Sequence, residues 1–311
     1  MNSSSLRGAW KIGTIMGIPI RVHFSWLIVF GFITWLLSSR YFPQVTPDLP
    51  FVSYWISGAL AALLLFASVA FHELAHSYVA QKYGLTIESI TLFIFGGVAQ
   101  LKGDPPHPRA EFWVAIVGPL SSFFLSAVFL FLTMSSAGGT RALFAYLSQI
   151  NLILGIFNLI PGFPMDGGRV LRSAIWGKKK DYFYATQKAS TIGRMIALFF
   201  IFFGLFSIFT GGSGGLWLML VGWFLFSAAQ ASYQQATLQE VLSGIRVKDI
   251  MAKDMITLNP SVSLEEAVDQ YFLRYGYGGF PVIDDGKFLG IITLKEVKNV
   301  PREDWGRTRV S

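Results

Sequence analysis

His72-Glu73-Leu74-Ala75-His76 stands near the C-terminal end of a long apolar stretch, Phe51 to Ala80. On a helix, two histidines four residues apart share one face and can grip a single zinc ion. Glu73 lies beside that pair, where it can serve as general base towards water activated at the ion. Ionisable groups are expensive inside lipid, so those found there tend to mark function. Motif and setting together point to hydrolysis carried out within a membrane.

Composition supports the membrane setting. Of 311 residues, 53% are hydrophobic and 14% charged, against about 25% charged in soluble domains; the mean hydropathy is +0.51. There is no cysteine, which excludes disulfides and thiolate metal sites. Zinc must therefore take nitrogen and oxygen ligands, and His23, His72, His76 and His107 are the only imidazoles. Met1 to Arg21 has no short apolar core followed by a small-residue cleavage site, so no removable signal peptide is expected.

Charge-free runs at 22–39, 49–71, 112–140 and 142–165 predict four spans. The run 195–239 is 45 residues long, too long for one crossing of about 20. Gly211-Gly212-Ser213-Gly214-Gly215 divides it into two, giving six spans. The N-tail, the 82–109 segment and the 169–194 segment hold 3, 3 and 7 Lys and Arg residues, whereas the opposite connections hold only Arg40 and Arg141. That asymmetry predicts a multi-pass protein of the cell (inner) membrane with both termini cytoplasmic. It also accounts for much of the +7 net charge, so nucleic acid is not an expected partner. Lys178-Lys179-Lys180 reads as part of the same topology signal, with lipid headgroup contact as a further use.

Near residue 240 the composition changes. Residues 1–239 carry 15 basic and 7 acidic side chains, and residues 240–311 carry 10 and 11. Val247-Lys248-Asp249-Ile250-Met251 leads into Met255-Ile256-Thr257-Leu258, and Leu264 to Val268 reads as a helix. Phe280-Pro281-Val282-Ile283 and Phe288 to Ile292 read as strands around an Asp284-Asp285-Gly286-Lys287 turn. This β-α-β-β-α order resembles one cystathionine-β-synthase-type (CBS) module. The resemblance implies a regulatory or dimerising region, with a homodimer through these regions as one outcome. It also implies adenine nucleotide bound where two modules pair, although Glu296 stands where the ribose-binding pattern usually has Asp. Val300 to Ser311 reads as the link to a second repeat, which is then missing.

A catalytic zinc needs a third protein ligand. Within the apolar spans the only carboxylates are Glu73 and Asp166. Asp166 follows Asn158-Leu159-Ile160-Pro161-Gly162-Phe163-Pro164-Met165 and precedes Gly167-Gly168-Arg169. Pro161 and Pro164 should break the fourth span and let a helix restart. Asp166 then lies near a helix N-terminus, where the backbone dipole favours its ionised form. The alternative for Asp166 is an ion pair with Arg169, one turn on. His23, before Phe24-Ser25-Trp26, reads as a hydrogen-bonded interfacial residue. His107, between Pro106 and Pro108, reads as a solvated loop residue.

The two motifs together resemble the site-2 protease family of intramembrane zinc metalloproteases, in the branch with six spans and a C-terminal CBS region. The resemblance implies that His72, His76 and Asp166 bind one zinc and that Glu73 activates water. It makes Asn158 a further catalytic candidate, donating hydrogen bonds to the substrate backbone or to the developing oxyanion; the alternative is a polar contact in helix packing. Met165 stands where Leu is more frequent. Gly118-Pro119 resembles another family signature, but Ser122 stands where Asn is frequent, which leaves no role assigned to that position.

The resulting expectation is an α-helical polytopic membrane protein, with six transmembrane helices and an interfacial β-hairpin, followed by a small α+β CBS-type region. Residues 1–239 form the transmembrane metalloprotease domain and 240–311 the regulatory region. The hairpin is expected over Ile87 to Leu101 with Gly96-Gly97 at its turn; an open edge cannot face lipid and could accept an unwound substrate strand. The expected activity is regulated intramembrane proteolysis: hydrolysis of peptide bonds within or next to transmembrane segments of other membrane proteins. A zinc-binding scaffold would not need Glu73, and a metal transporter would string several polar groups along a pathway where only one cluster is visible.

Overall fold

Pro161 and Pro164 end one apolar run as helix, whereas Pro119 is carried inside a continuous one. The computed structural model describes residues 8–94, 96–212, 214–246, 249, 251 and 254–310. Six helices in it are long and apolar enough to cross a membrane: α1 (Ser25–Val45), α2 (Phe51–Lys82), α3 (Pro108–Met134), α4 (Gly138–Asn158), α6 (Tyr182–Phe209) and α7 (Gly215–Leu242). A shorter helix, α5 (Asp166–Lys179), stands between α4 and α6. The chain divides into two compact units, Met1–Leu242 and Ser243–Ser311.

In the first unit α4 ends at Asn158, three residues before Pro161, and the chain passes through turns and bends over 159–165 before α5 begins at Asp166. The break follows because a proline inside a helix removes a donor and clashes with the preceding turn. His107 is exposed, as expected of a loop residue, but it also caps α3: its Nδ1 accepts from the Ala110 N–H at 3.0 Å. Thr210, Gly211 and Gly212 separate α6 from α7 as the glycine-rich stretch predicted, and Ser213 lies outside the described residues. The α6–α7 pair is close-packed through small residues; a Cβ on Gly222 would lie 2.8 Å from the Ala197 carbonyl. Phe199, Phe202, Phe206 and Phe209 on α6 stay exposed, as on a lipid-facing surface.

A four-stranded sheet lies beside these helices. Its order is β1 (Ala9–Ile15), β2 (Ile18–His23), β3 (Thr86–Phe93), β4 (Gly96–Lys102). β2 and β3 run parallel and the outer pairs run antiparallel. The hairpin expected at 87–101 is therefore half of a larger sheet. Gly96 and Gly97 belong to β4 and not to the turn, which precedes them at Ile94; Phe95 lies outside the described residues. Ile18, Ile20, Ile87 and Ile90 on the inner face pack against Ala80 of α2 and Val114 of α3. This packing fixes the sheet against the helices that carry the site. His23 hydrogen-bonds Ser25 at 2.8 Å, matching its sequence reading.

The second unit has its own core of Leu258, Leu264, Phe272, Phe280, Val282 and Val297. A helix, α8, covers 264–275 in three consecutive segments. β5 (Gly279–Asp284) and β6 (Lys287–Thr293) pair antiparallel, and α9 (Leu294–Val297) follows. Leu258 bridges to Val282 in parallel. Val247, Lys248 and Ile250, read from the sequence as the lead-in, lie outside the described residues. The last stretch departs from expectation: 300–310 does not run off as a link but returns onto the module. Val300, Trp305 and Val310 pack on its core. Leu264 N–H donates to Thr308 O at 2.9 Å and Val310 N–H to Val262 O at 3.0 Å.

Candidate metal centre

His72 and His76 lie one turn apart on α2, buried, with their rings 4.7 Å apart. The helical repeat alone gives this pairing. What fixes the ring orientations is α3. His76 Nδ1 lies 2.5 Å from the Val114 carbonyl oxygen, which can only accept, so that nitrogen carries a proton, and in the neutral ring Nε2 is the one left with a lone pair to offer. His72 Nδ1 lies 2.8 Å from Ser122 Oγ. Ser122 is fully buried; the position left without a role by the sequence thus holds one of the two histidines. Gly118 lies between these supports, and any Cβ there would collide with both imidazoles. The Gly118 signature has a steric reason: α3 must come this close.

Asp166 comes from the other side. Its loop is pinned by burial of Met165 against Ala197 and Leu225, and of Phe163 against Ala189 and Ala229. Phe163 N–H donates to the Ala189 carbonyl at 3.2 Å. Gly167 and Gly168 are required because the Leu159, Ile160 and Gly162 backbone occupies the space where a Cβ would stand. The loop so folded delivers Asp166 Oδ2 to within 3.1 Å of His72 Nε2 and 3.0 Å of His76 Nε2. The two Nε2 atoms are 3.1 Å apart. Among the described residues no ion pair joins Asp166 to Arg169; the aspartate faces the histidines instead.

His72, His76 and Asp166 are a group whose ligand atoms converge tightly enough to hold a metal ion. In the neutral imidazole, with Nδ1 protonated, His76 Nε2 and the Asp166 carboxylate oxygen face each other 3.0 Å apart as two lone-pair donors, an arrangement suited to a shared cation. Ligands about 2.0–2.2 Å from a tetrahedral zinc are separated by about 3.3–3.5 Å, so a few tenths of an ångström admit the ion. Two imidazoles and one carboxylate are a donor set of the kind used at catalytic zinc sites, where three protein ligands would leave a position for water.

Glu73 is half-buried beside the pair, and its side chain lies under β4: a Cβ on Gly97 would fall 2.6 Å from Glu73 Cγ. Asn158 closes α4, and its amide donates to the Leu154 carbonyl of its own helix at 3.0 Å. The contacts found for it among the described residues are local and do not reach the cluster. Sequence reasoning also passed over Val114, whose contribution is a backbone carbonyl and leaves no side-chain signal.

A model of peptidase family M50 matches residues 60–138 and 134–203, the segments that carry all three convergent side chains. A zinc metalloprotease of Methanocaldococcus jannaschii, MJ0392, is 37% identical over 92% of this chain and 78% of its own length. The chain belongs to peptidase family M50, the site-2 proteases. The putative zinc metalloprotease Rip3 of Mycobacterium tuberculosis is 38% identical, over 95% of this chain and 77% of that relative. Among solved structures, the site-2 protease from Methanocaldococcus jannaschii aligns with a TM-score of 0.51 at 34% identity, over 80% of this chain and all of that one. Residues 247–303 match the CBS domain. As a family member, the chain is a zinc metallopeptidase and a multi-pass membrane protein with a CBS region.

Proposed function

We propose that this protein cleaves peptide bonds within or next to transmembrane segments of other membrane proteins, using one zinc held by His72, His76 and Asp166. The observation that carries the reading is the convergence of two helix-borne imidazoles and one loop-borne carboxylate from hydrophobic segments 90 and 94 residues apart. Bound there, the ion supplies Lewis-acid polarisation of the peptide carbonyl and acidifies water. Glu73 takes the proton of the attacking water and passes it to the leaving amide nitrogen. No hydrogen bond to Glu73 is found among the described residues, which leaves its carboxylate free for that exchange. Val114 and Ser122 hold the imidazoles in orientation while the proton moves.

A transmembrane helix hides its carbonyls and must unwind to be cut. β4 is the last strand of its sheet, and Gly97 lies against Glu73. A substrate strand added to that edge runs beside the general base, which supports strand addition as the way substrate is held. Asn158 is the proposed donor to the substrate or the oxyanion. Reaching it requires the amide to leave its bond to Leu154. Positive charge on the 82–109 and 169–194 segments supports a cell-membrane protein with cytoplasmic termini.

The CBS region is proposed as a regulatory or dimerising module. Phe288, Leu289 and Ile291 on β6 remain exposed and offer an apolar strand to a second copy. The Glu296 carboxylate accepts from the Thr293 N–H at 2.7 Å and hydroxyl at 2.9 Å, capping α9. That engagement argues against its holding a ribose.

The decisive variant is Glu73→Gln. It should retain one zinc per chain and lose about 10²- to 10⁴-fold in cleavage of a membrane-anchored substrate in detergent. Full cleavage by this variant would remove the assignment.

A further inference from the structure

Glu111 is an acid on α3 that is wholly buried and takes no part in the metal centre. Arg172 of α5 meets it with a fork: Nε donates to Glu111 Oε1 at 2.6 Å, and Nη2 donates to the same oxygen. The remaining nitrogen, Nη1, donates to Thr186 Oγ1 of α6 at 3.4 Å. The guanidinium also lies over two rings, Phe163 at 4.8 Å and Tyr182 at 4.6 Å.

These partners come from three elements: Glu111 from α3, Phe163 from the loop before α5, and Tyr182 and Thr186 from α6. Glu111 is three residues before Val114, which supports His76, and seven before Gly118, so they share one stripe of α3. Phe163 sits three residues before Asp166 in the loop. Arg172 follows Asp166 by six residues, about 9 Å along α5. The one guanidinium therefore ties the helix that supports the histidines to the loop and helix that deliver the aspartate. A buried ion pair gains little stability over apolar side chains of the same volume. Nε and Nη2 converge on the one oxygen Oε1, and Oε2 is buried with no hydrogen-bond partner among the described residues; a planar guanidinium gripping one oxygen with two N–H groups is better suited to fixing register than to adding stability.

We propose that Glu111 and Arg172 are positioning residues of the metal centre, a brace that holds Asp166 against His72 and His76. This rests on the zinc metallopeptidase reading and adds to it a means of setting metal affinity from outside the ligand shell. Outer partners that orient metal ligands typically change affinity by about 10- to 100-fold when removed.

The test uses the full chain purified in detergent, with the variants Arg172→Lys and Glu111→Gln. Arg172→Lys keeps the charge and loses the fork. Zinc dissociation constants are measured by competition with a chelator, beside the melting temperature of the zinc-free protein. Both variants should bind zinc about 10- to 100-fold more weakly. Cleavage should partly return at saturating zinc. Wild-type zinc affinity with only a lowered melting temperature would show a merely structural pair and overturn the brace. Should either single variant fail to fold, Glu111→Leu combined with Arg172→Met, apolar and of similar volume, carries the same measurement. Unchanged zinc affinity in that folded double variant would equally overturn it. The metallopeptidase reading fails separately, if the wild-type protein itself binds no zinc.

Discussion

The two halves of the metal centre are built by opposite means. His72 and His76 need nothing but the repeat of one helix to share a face. Asp166 needs a broken span, a glycine pair, two buried anchors and contacts with α6 and α7 before its carboxylate arrives. The site is fragile in two distinct ways as a result. Under the proposed assignment, changes on α2 would alter what binds the metal, whereas changes around the loop would alter whether the third ligand is present at all.

Filling the loop half should separate the two most clearly. Gly168→Val drives a side chain into the Gly162–Phe163 backbone, so Asp166 should be displaced with the histidines untouched. Zinc by elemental analysis should fall to background and cleavage with it. Gly177→Ala on the same helix meets only Pro108 at 3.6 Å and should leave both unchanged. Normal zinc in Gly168→Val would place the ligand elsewhere.

A lesser loss is expected from the helix half. Gly118→Ala pushes a methyl group against both imidazoles, and α2 and α3 must part slightly to admit it. Zinc should bind about 100-fold more weakly, towards the upper end of what disturbed ligand support costs, as read by chelator competition. An unchanged dissociation constant would mean that α3 does not constrain the rings.

Ring orientation alone should cost least. Ser122→Ala removes one hydrogen bond to His72 Nδ1 and should weaken zinc binding about 10-fold, with Ser122→Asn restoring most of it. If alanine costs nothing, the Ser122 contact is packing alone.

The same contrast explains what could be read before any coordinates. Helical spacing and charge-free runs carry their own geometry, so the six spans, the histidine pair and the break before Asp166 were legible. Local grammar also served the CBS region, whose strands and turn announce themselves by alternation and by Asp285-Gly286. The N-terminal strands were missed because Lys11 and Arg21 read as a charged tail, although β1 and β2 form a local hairpin across Met16-Gly17; the pairing that joins that hairpin to the rest of the sheet lies about 70 residues away at β3. Ser122 and Val114 were missed because their role exists only once α3 lies against α2. The return of 300–310 onto its own module was missed for the same reason: its partners are Val262 and Leu264, far earlier in the chain.

Whether two imidazoles and the Asp166 carboxylate surround one cation decides everything else. Zinc-edge X-ray absorption on purified Glu73→Gln protein, compared with the same protein carrying Asp166→Ala, tests it most directly. One zinc per chain bound by two imidazole nitrogens and oxygen is expected, with zinc lost or its oxygen shell altered when Asp166 is removed. An identical spectrum and stoichiometry in the two proteins would contradict it.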